Sequence, residues 1–326
     1  MWFTSLLAML CWSGSDFFSK AGTKLSDKRS HYKVGIAVGL VMGLHAIYMV
    51  TFGGVPFSFS DIITYLPASI LYIGSMVLGY IGLRYIELSI SSPICNTSGA
   101  LALIFSLFYF GVKWVDDDSD AIFLNAPIII GVVLIVIGVV SLGFIEYREN
   151  DEAREMRQQI SGRKYTKSVL AILLPVLYCL LDACGTFVDT LIADNYTEGL
   201  VEKLPDMSAD DIDLLCGDIL NTAYEFTWLF MAIIFAIYVF VIRRDKPELK
   251  YDGAKGIGAI CETIGQVFYM MVVVSDFKVG LVIISAYCAV SLLWGRIFLK
   301  ERLSWKHYAA IAAAFIGIVT LGIYDV

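Results

Sequence analysis

Glu262, Gln266 and Tyr269 stand four and then three positions apart in an otherwise apolar stretch. On a helix that spacing puts all three on one face. A carboxylate turned toward hydrocarbon is penalised by about 2.5–3.5 kcal/mol, so the face is expected to point into the protein. There an acid can hold and release a proton or bind a polar solute, while the amide and phenol orient it. Tyr178, Asp182 and Asp189 repeat the pattern in a second apolar run, and Trp12 with Asp16 begins it in a third. Asn96, Thr97 and Ser98 form a polar cluster just after Pro93, whose missing N–H frees a carbonyl and can kink a helix. Tyr287 and Ser291 lie one turn apart in another run.

Several of these groups have a plainer reading. Asp16 is also spaced to pair with Lys20 one turn on. Asp189 stands near the end of its run, where solvation is expected, and Asn96 with its neighbours serves equally well as glue between helices. Glu262 is the least easily dismissed. It stands about eight residues into its run, roughly 12 Å deep at 1.5 Å per residue.

The elements that must hold these residues are membrane helices. Of the 326 residues, 58% are hydrophobic and only 17% charged, against about 25% charged in a soluble domain. A span takes about 20 mainly apolar residues, and within lipid a helix satisfies its own backbone. Cutting at charges and turn residues gives ten runs, near 2–19, 34–54, 62–83, 88–112, 121–145, 168–190, 219–242, 254–275, 279–298 and 306–324. The fold class expected is an all-α integral membrane protein of ten transmembrane helices. Residues 147–167 form a charged cytoplasmic linker with helical tendency, which leaves one five-helix unit at 1–146 and another at 168–326. An odd number of helices per half obliges the second half to enter the membrane from the opposite side, as in inverted-repeat transporters. Two similarities support a duplication: GVVSLG (138–143) and GIVTLG (317–322) close the fifth and tenth runs, and WSGSDF (12–17) aligns with YCLLDA (178–183).

Of the 24 Lys and Arg, 21 fall in the odd-numbered loops, and the even loops hold only Lys113, Lys203 and Lys278. The positive-inside rule then puts the odd loops in the cytoplasm and both termini outside. The acidic insert at 194–218 is expected outside as a surface element away from any transport path, with a Ser-capped amphipathic helix after Pro205. Met1 to Ser19 is expected to be a retained helix rather than a signal peptide.

Other chemistry lacks its signature. The seven cysteines lie mostly in apolar runs without paired spacings, so no disulfide framework is expected. His31, His45 and His307 are far apart, no Cys or His spacing fits a metal, and no cofactor is expected. There is no phosphate loop for ATP; GIGAIC at 256–261 reads as a packing element. The basic loops are short and lack interleaved aromatics, so no nucleic-acid partner is expected.

FLKERLSW (298–305), followed by an Ala-rich helix ending in GIVTLG, resembles the second repeat of the drug/metabolite transporter superfamily, EamA-like branch, with Lys300 where that family usually has Gly. WSG (12–14) is similar to the family's first helix, and the basic first, fifth and seventh loops are similar to its sugar-uptake branch. The resemblance implies two inverted five-helix repeats around a central substrate cavity. The function expected is secondary active transport of a small polar or sugar-like metabolite across the plasma membrane by alternating access, with protons as a candidate coupling ion. Cavity candidates are Glu262, Gln266, Tyr269, Asn96, Tyr287, Tyr178, Asp182, Asp16 and Trp12. The competing readings are an intramembrane enzyme using Asp16, Asp182 or Glu262 as acid or base, for which no nucleophile or metal partner is visible, and a non-transporting sensor or scaffold.

Overall fold

Apolar runs that must satisfy their own backbone become helices, and caps set where several begin. In a computed structural model, residues 2–113, 122–123, 125–149, 151–161, 169–274, 283–284 and 286–324 are described. The helices are α1 (Trp2–Gly22), α2 (Ser30–Thr51), α3 (Phe59–Gly82), α4 (Leu88–Cys95), α5 (Ser98–Phe110), α6 (Ala126–Arg148), α7 (Asp151–Ser161), α8 (Val169–Lys203), α9 (Ala209–Ala236), α10 (Leu249–Val274), α11 (Tyr287–Ile297) and α12 (Trp305–Tyr324). A π-helical turn, Ile237–Ile242, extends α9, and Val112–Lys113 pairs in parallel with Ile122–Phe123. Asp61 closes the first turn of α3 by accepting from the Ser58 amide at 2.7 Å, and Asn125 caps α6 through the Ile128 amide at 3.0 Å.

Seven helical stretches are long and apolar enough to cross a membrane: 30–51, 59–82, 88–110 taken through its break, 126–148, 171–203, 209–242 and 305–324. The runs of α1 and α10 are helical over similar lengths, but Ser, Trp and Asp residues dilute the first, and Asp252, Lys255 and Glu262 the second. Of the ninth run only 283–284 and 286 onward are described. The fourth run is broken at Asn96 and Thr97, whose φ/ψ of −72°/1° and −91°/2° leave the helical region and separate α4 from α5. The discontinuity thus falls three positions beyond Pro93, at the polar cluster itself.

The helices pack in pairs drawn from the two ends of the chain. α1 lies along α10, α2 along α9, α3 along α8, and α6 along α12; α4 and α5 rest on α8, and α11 on α1 and α4. Met42, Ile73 and Trp228 fill the centre between α2, α3 and α9. α6 and α12 approach closely enough to touch backbones. A Cβ on Gly138 would lie 2.7 Å from the Ala310 carbonyl oxygen and 2.7 Å from the Ala314 Cβ, and one on Gly317 would lie 2.5 Å from the Gly131 carbonyl oxygen. These two glycines open GVVSLG and GIVTLG, so the repeated hexamer marks a contact in which each copy seats the other helix.

Two segments pack more closely than the sequence alone suggests. In 194–218 the expected Ser-capped helix after Pro205 is present, with Ser208 capping α9 through the Asp211 amide at 3.2 Å and 205–211 exposed, but α8 runs on to Lys203 and leaves only a short connection before α9 starts at Ala209. Leu200, Ile212 and Cys216 pack against Ile62 and Tyr65 of α3, so this stretch belongs to the bundle. The linker helix α7 is likewise docked: the Arg154 guanidinium binds the Glu146 carboxylate, and Gln158 donates to Glu87 at 3.0 Å.

One end of the bundle is tied by charge. Arg29 forks onto Asp245, and Lys24 meets Glu248 at 2.9 Å, joining the α1–α2 and α9–α10 connections. Lys20 is fully buried there and donates to the Leu83 and Ile86 carbonyl oxygens beyond α3. Nearby, Lys300 adopts φ 57°, the left-handed region that favours glycine. The turn lets Glu301 accept from the Leu88 and Ser89 amides, at 3.1 and 2.9 Å, at the start of α4.

Candidate functional site

Inward-facing polar residues from α1, α3, α8, α9, α10 and α11, together with the break between α4 and α5, surround one cavity of about 930 Å³. Trp12, Asp16, Asn96, Tyr178, Asp182, Glu262, Gln266, Tyr269 and Tyr287 all line it. α10 is longer than its apolar run, so Glu262 lies near the middle of that helix rather than in its first turns. Small residues let the aromatic walls sit close. A Cβ on Gly265 would meet the Trp12 ring at 2.5 Å, and one on Gly79 would meet the Tyr178 ring at 2.9 Å. Trp12 also packs on Tyr269, with centroids 5.0 Å apart, and presents its edge to Tyr287 at 5.9 Å.

The carboxylates are held by hydroxyl groups. Asp16 accepts from Ser92 at 2.6 Å and from Ser291 at 2.9 Å, so it is tied to the fourth and ninth runs and not to Lys20. Asp182 accepts from Ser75 at 3.2 Å, and Ser15 stands beside Glu262. Asp189, expected to be solvated, instead accepts from the Tyr65 hydroxyl at 2.7 Å and the Tyr72 hydroxyl at 3.3 Å and lines the cavity. Gln266 donates to Asn221 of α9 at 3.4 Å, while Asn96 reaches Cys288 at 3.3 Å. Thr97 turns away, donating to the Ile94 carbonyl at 2.7 Å.

The cavity extends toward the end formed by residues 194–218, where Asp194, Thr197, Asp210 and Asp213 join its wall. These residues thus border the cavity, although the stretch was expected to stand apart from it. The opposite end is the one tied by Arg29–Asp245 and Lys24–Glu248.

Two buried ionisable clusters lie apart from the cavity. His45 of α2 meets Glu225 of α9 at 2.8 Å, with the Glu225 side chain 0% exposed. At the foot of α6 and α12, His307 Nε2 is 2.9 Å from Glu146, and Ser304 meets His307 Nδ1 at 2.7 Å. Glu146, Glu149 and His307 bring possible ligand atoms within 4.8 Å of one another, but the Arg154 guanidinium binds the Glu146 carboxylate and lies 3.9 Å from that of Glu149. The arrangement reads as an ion-pair network that fastens the linker helix to the bundle.

Tyr65, Tyr72, Tyr80 and Tyr224 are cavity residues that sequence reasoning passed over. Tyr65 and Tyr72 stand seven positions apart, the same two-turn spacing that joins Asp182 to Asp189, and that spacing was the available signal. No family model matches the chain, and no curated protein matches it.

Proposed function

We propose that this chain is a secondary active transporter that moves a small polar metabolite by alternating access between two related, oppositely oriented five-helix halves. The observation that carries the proposal is the cavity. It is large enough for a metabolite, lined by polar groups from both halves, extended toward one end of the bundle and tied off by ion pairs at the other. A cavity with one tied end is what a single state of an alternating-access cycle requires.

The pairing of helices supports the duplication. Matching the five runs of the first half to the five of the second carries α1 on α10 into α8 on α3, and carries α4–α5 on α8 into α11 on α1. It returns α2 on α9 and α6 on α12 to themselves. The finer contacts obey the same exchange: Trp12 on Gly265 answers Tyr178 on Gly79, and Gly138 on Ala310 and Ala314 answers Gly317 on Gly131 and Ile135. Ten crossings, a plasma-membrane location, external termini and membership of the drug/metabolite transporter superfamily belong to the same reading. Its supports are the distribution of Lys and Arg and the motifs near the two chain ends.

In this mechanism the halves rock about the cavity. Opening the tied end would separate the α1–α2 connection from the α9–α10 connection, while the helix ends at 194–218 close over the other mouth. Counterflow of labelled solutes into proteoliposomes tests the function. Movement of an unchanged solute is expected. Chemical conversion would indicate an enzyme, and no movement across a broad metabolite panel would indicate a sensor or scaffold.

Orientation is tested by impermeant thiol labelling of intact cells carrying a cysteine-free background. Glu155 and Asp206 are exposed positions suited to single cysteines. Asp206→Cys is expected to react from outside and Glu155→Cys only after permeabilisation; the reverse result overturns the topology.

A further inference from the structure

We infer that the cavity takes an organic cation, a protonated or quaternary amine, as its substrate; this deepens the transport reading above and rests on it. The first observation is a charge imbalance. Asp16, Asp182, Asp189 and Glu262, with Asp194, Asp210 and Asp213 toward the mouth, supply seven acidic groups, while none of the described residues lining the cavity is Lys, Arg or His. The hydrogen bonds found at Asp16, Asp182 and Asp189 come from Ser and Tyr hydroxyls, which solvate an anion but do not neutralise it. A buried carboxylate must gain either a proton or a counter-charge, and the described residues of the cavity wall supply no cation. The basic groups of this region, Lys20, Lys24 and Arg29, are engaged instead with carbonyl oxygens or acids at the tied end.

The second observation separates an organic cation from a bare metal ion. Among the described residues, the group of acids and histidine with converging ligand atoms is Glu146, Glu149 and His307, away from the cavity. The cavity acids instead share the wall with aromatic rings, those of Trp12, Tyr72, Tyr80, Tyr178, Tyr269 and Tyr287. Aromatic rings and carboxylates in one cavity are the setting in which an alkylammonium group is held by charge and cation–π attraction while its carbon skeleton is buried. A third observation is a hydroxyl oxygen free to accept from an ammonium N–H. Tyr80 is only 8% exposed and lines the cavity, yet its hydroxyl has no hydrogen-bond partner. Asp182 and Asp189 lie two turns apart on α8, about 10 Å along the helix axis, so an amine can pass between successive carboxylates without leaving the acidic wall.

Calorimetric titration of the full-length protein in nanodiscs tests the assignment with three probes of matched size: phenethylammonium, neutral 2-phenylethanol and anionic phenylacetate. Phenethylammonium is expected to bind at least tenfold more tightly than either of the others and to lose at least tenfold in Asp182→Asn. Should that variant fail to fold, Asp189→Asn provides the same comparison, with retained thermal unfolding as its control. Equal or tighter binding of 2-phenylethanol or phenylacetate overturns the inference, as does binding of sodium or magnesium ions alone. Cation binding without counterflow upholds the inference and removes the transport reading. Counterflow of a neutral solute with no cation binding overturns the inference and leaves transport standing.

Discussion

Glu262→Gln keeps the shape of a side chain near the middle of α10 and removes only its capacity to carry a proton. A neutral acid costs little to bury in an occluded state, whereas an ionised one favours a hydrated, open cavity, so one proton can bias two arrangements of the bundle. The variant is expected to fold, to retain substrate counterflow and to lose accumulation driven by a pH gradient, read as labelled uptake into proteoliposomes; unchanged proton-driven accumulation would reject the coupling role. Lys300 carries a different kind of information. Its φ of 57° is unfavourable for a residue with a Cβ by roughly 1–2 kcal/mol, part of which is offset because glycine gains more freedom on unfolding. Lys300→Gly is therefore expected to stabilise the protein by about 1 kcal/mol, seen as a higher unfolding temperature with unchanged transport. At this scale the sequence was most legible where a side chain was out of place chemically. An Asp, Glu or Gln in an apolar run demands an inward face, and Asp16, Asp182, Glu262 and Gln266 all line the cavity. Tyr and Ser make no such demand, because they are ordinary in membrane helices. Tyr72, Tyr80 and Ser92 became visible only through their neighbours.

Between helices, what decides the geometry is which backbones can touch. A hypothetical Cβ on Gly317 would lie 2.5 Å from the Gly131 carbonyl oxygen and 2.9 Å from the Ile135 backbone nitrogen, backbone atoms that cannot simply swing aside. Gly317→Leu is expected to destabilise the protein by about 1–3 kcal/mol through overpacking, measured by thermal unfolding in detergent. The tied end makes a separate prediction. The Arg29 guanidinium holds the Asp245 carboxyl below the usual carboxylate range. Its folded pKa lies below its unfolded value, so its contribution is complete above the unfolded value, near 3.9, and is lost as pH falls toward the folded one. Unfolding temperature should fall over that acidic window, and Asp245→Asn should remove part of the fall; an identical pH profile in the variant would show that the pair contributes nothing. The helices α1 to α3, α6, α8 and α9 were legible as apolar runs, and α7 as a charged linker with helical tendency. The true ends of α8 and α9 were not, because acids in an extramembrane extension suit a helix as well as a loop. Only the contacts of Leu200 and Ile212 with Ile62 reveal that these extensions pack into the bundle. The break at Asn96 and Thr97 was signalled one turn early by Pro93, since a proline disturbs the carbonyls before it while the polar cluster after it offers the actual exit from the helix.

In the molecule as a whole, the two mouths of the proposed path are unlike. Arg29–Asp245 and Lys24–Glu248 bind one end by charge, whereas Phe57 against Phe226 and the packing of Leu200 and Ile212 dominate the other. An exposed ion pair such as Lys24–Glu248 is worth about 0.2–1 kcal/mol and weakens as salt rises, the partly buried Arg29–Asp245 less so, while apolar contact is strengthened by excluded salts such as sulfate. Ionic strength therefore acts on the two ends in opposite senses. Salt raised on the side of residues 23–29 would shorten the lifetime of the closed state there by up to a few-fold, and sulfate on the other side would lengthen closure at residues 194–218. A bundle whose halves are alike in packing would thus dwell unequally in its two orientations, with the water on either side setting the ratio.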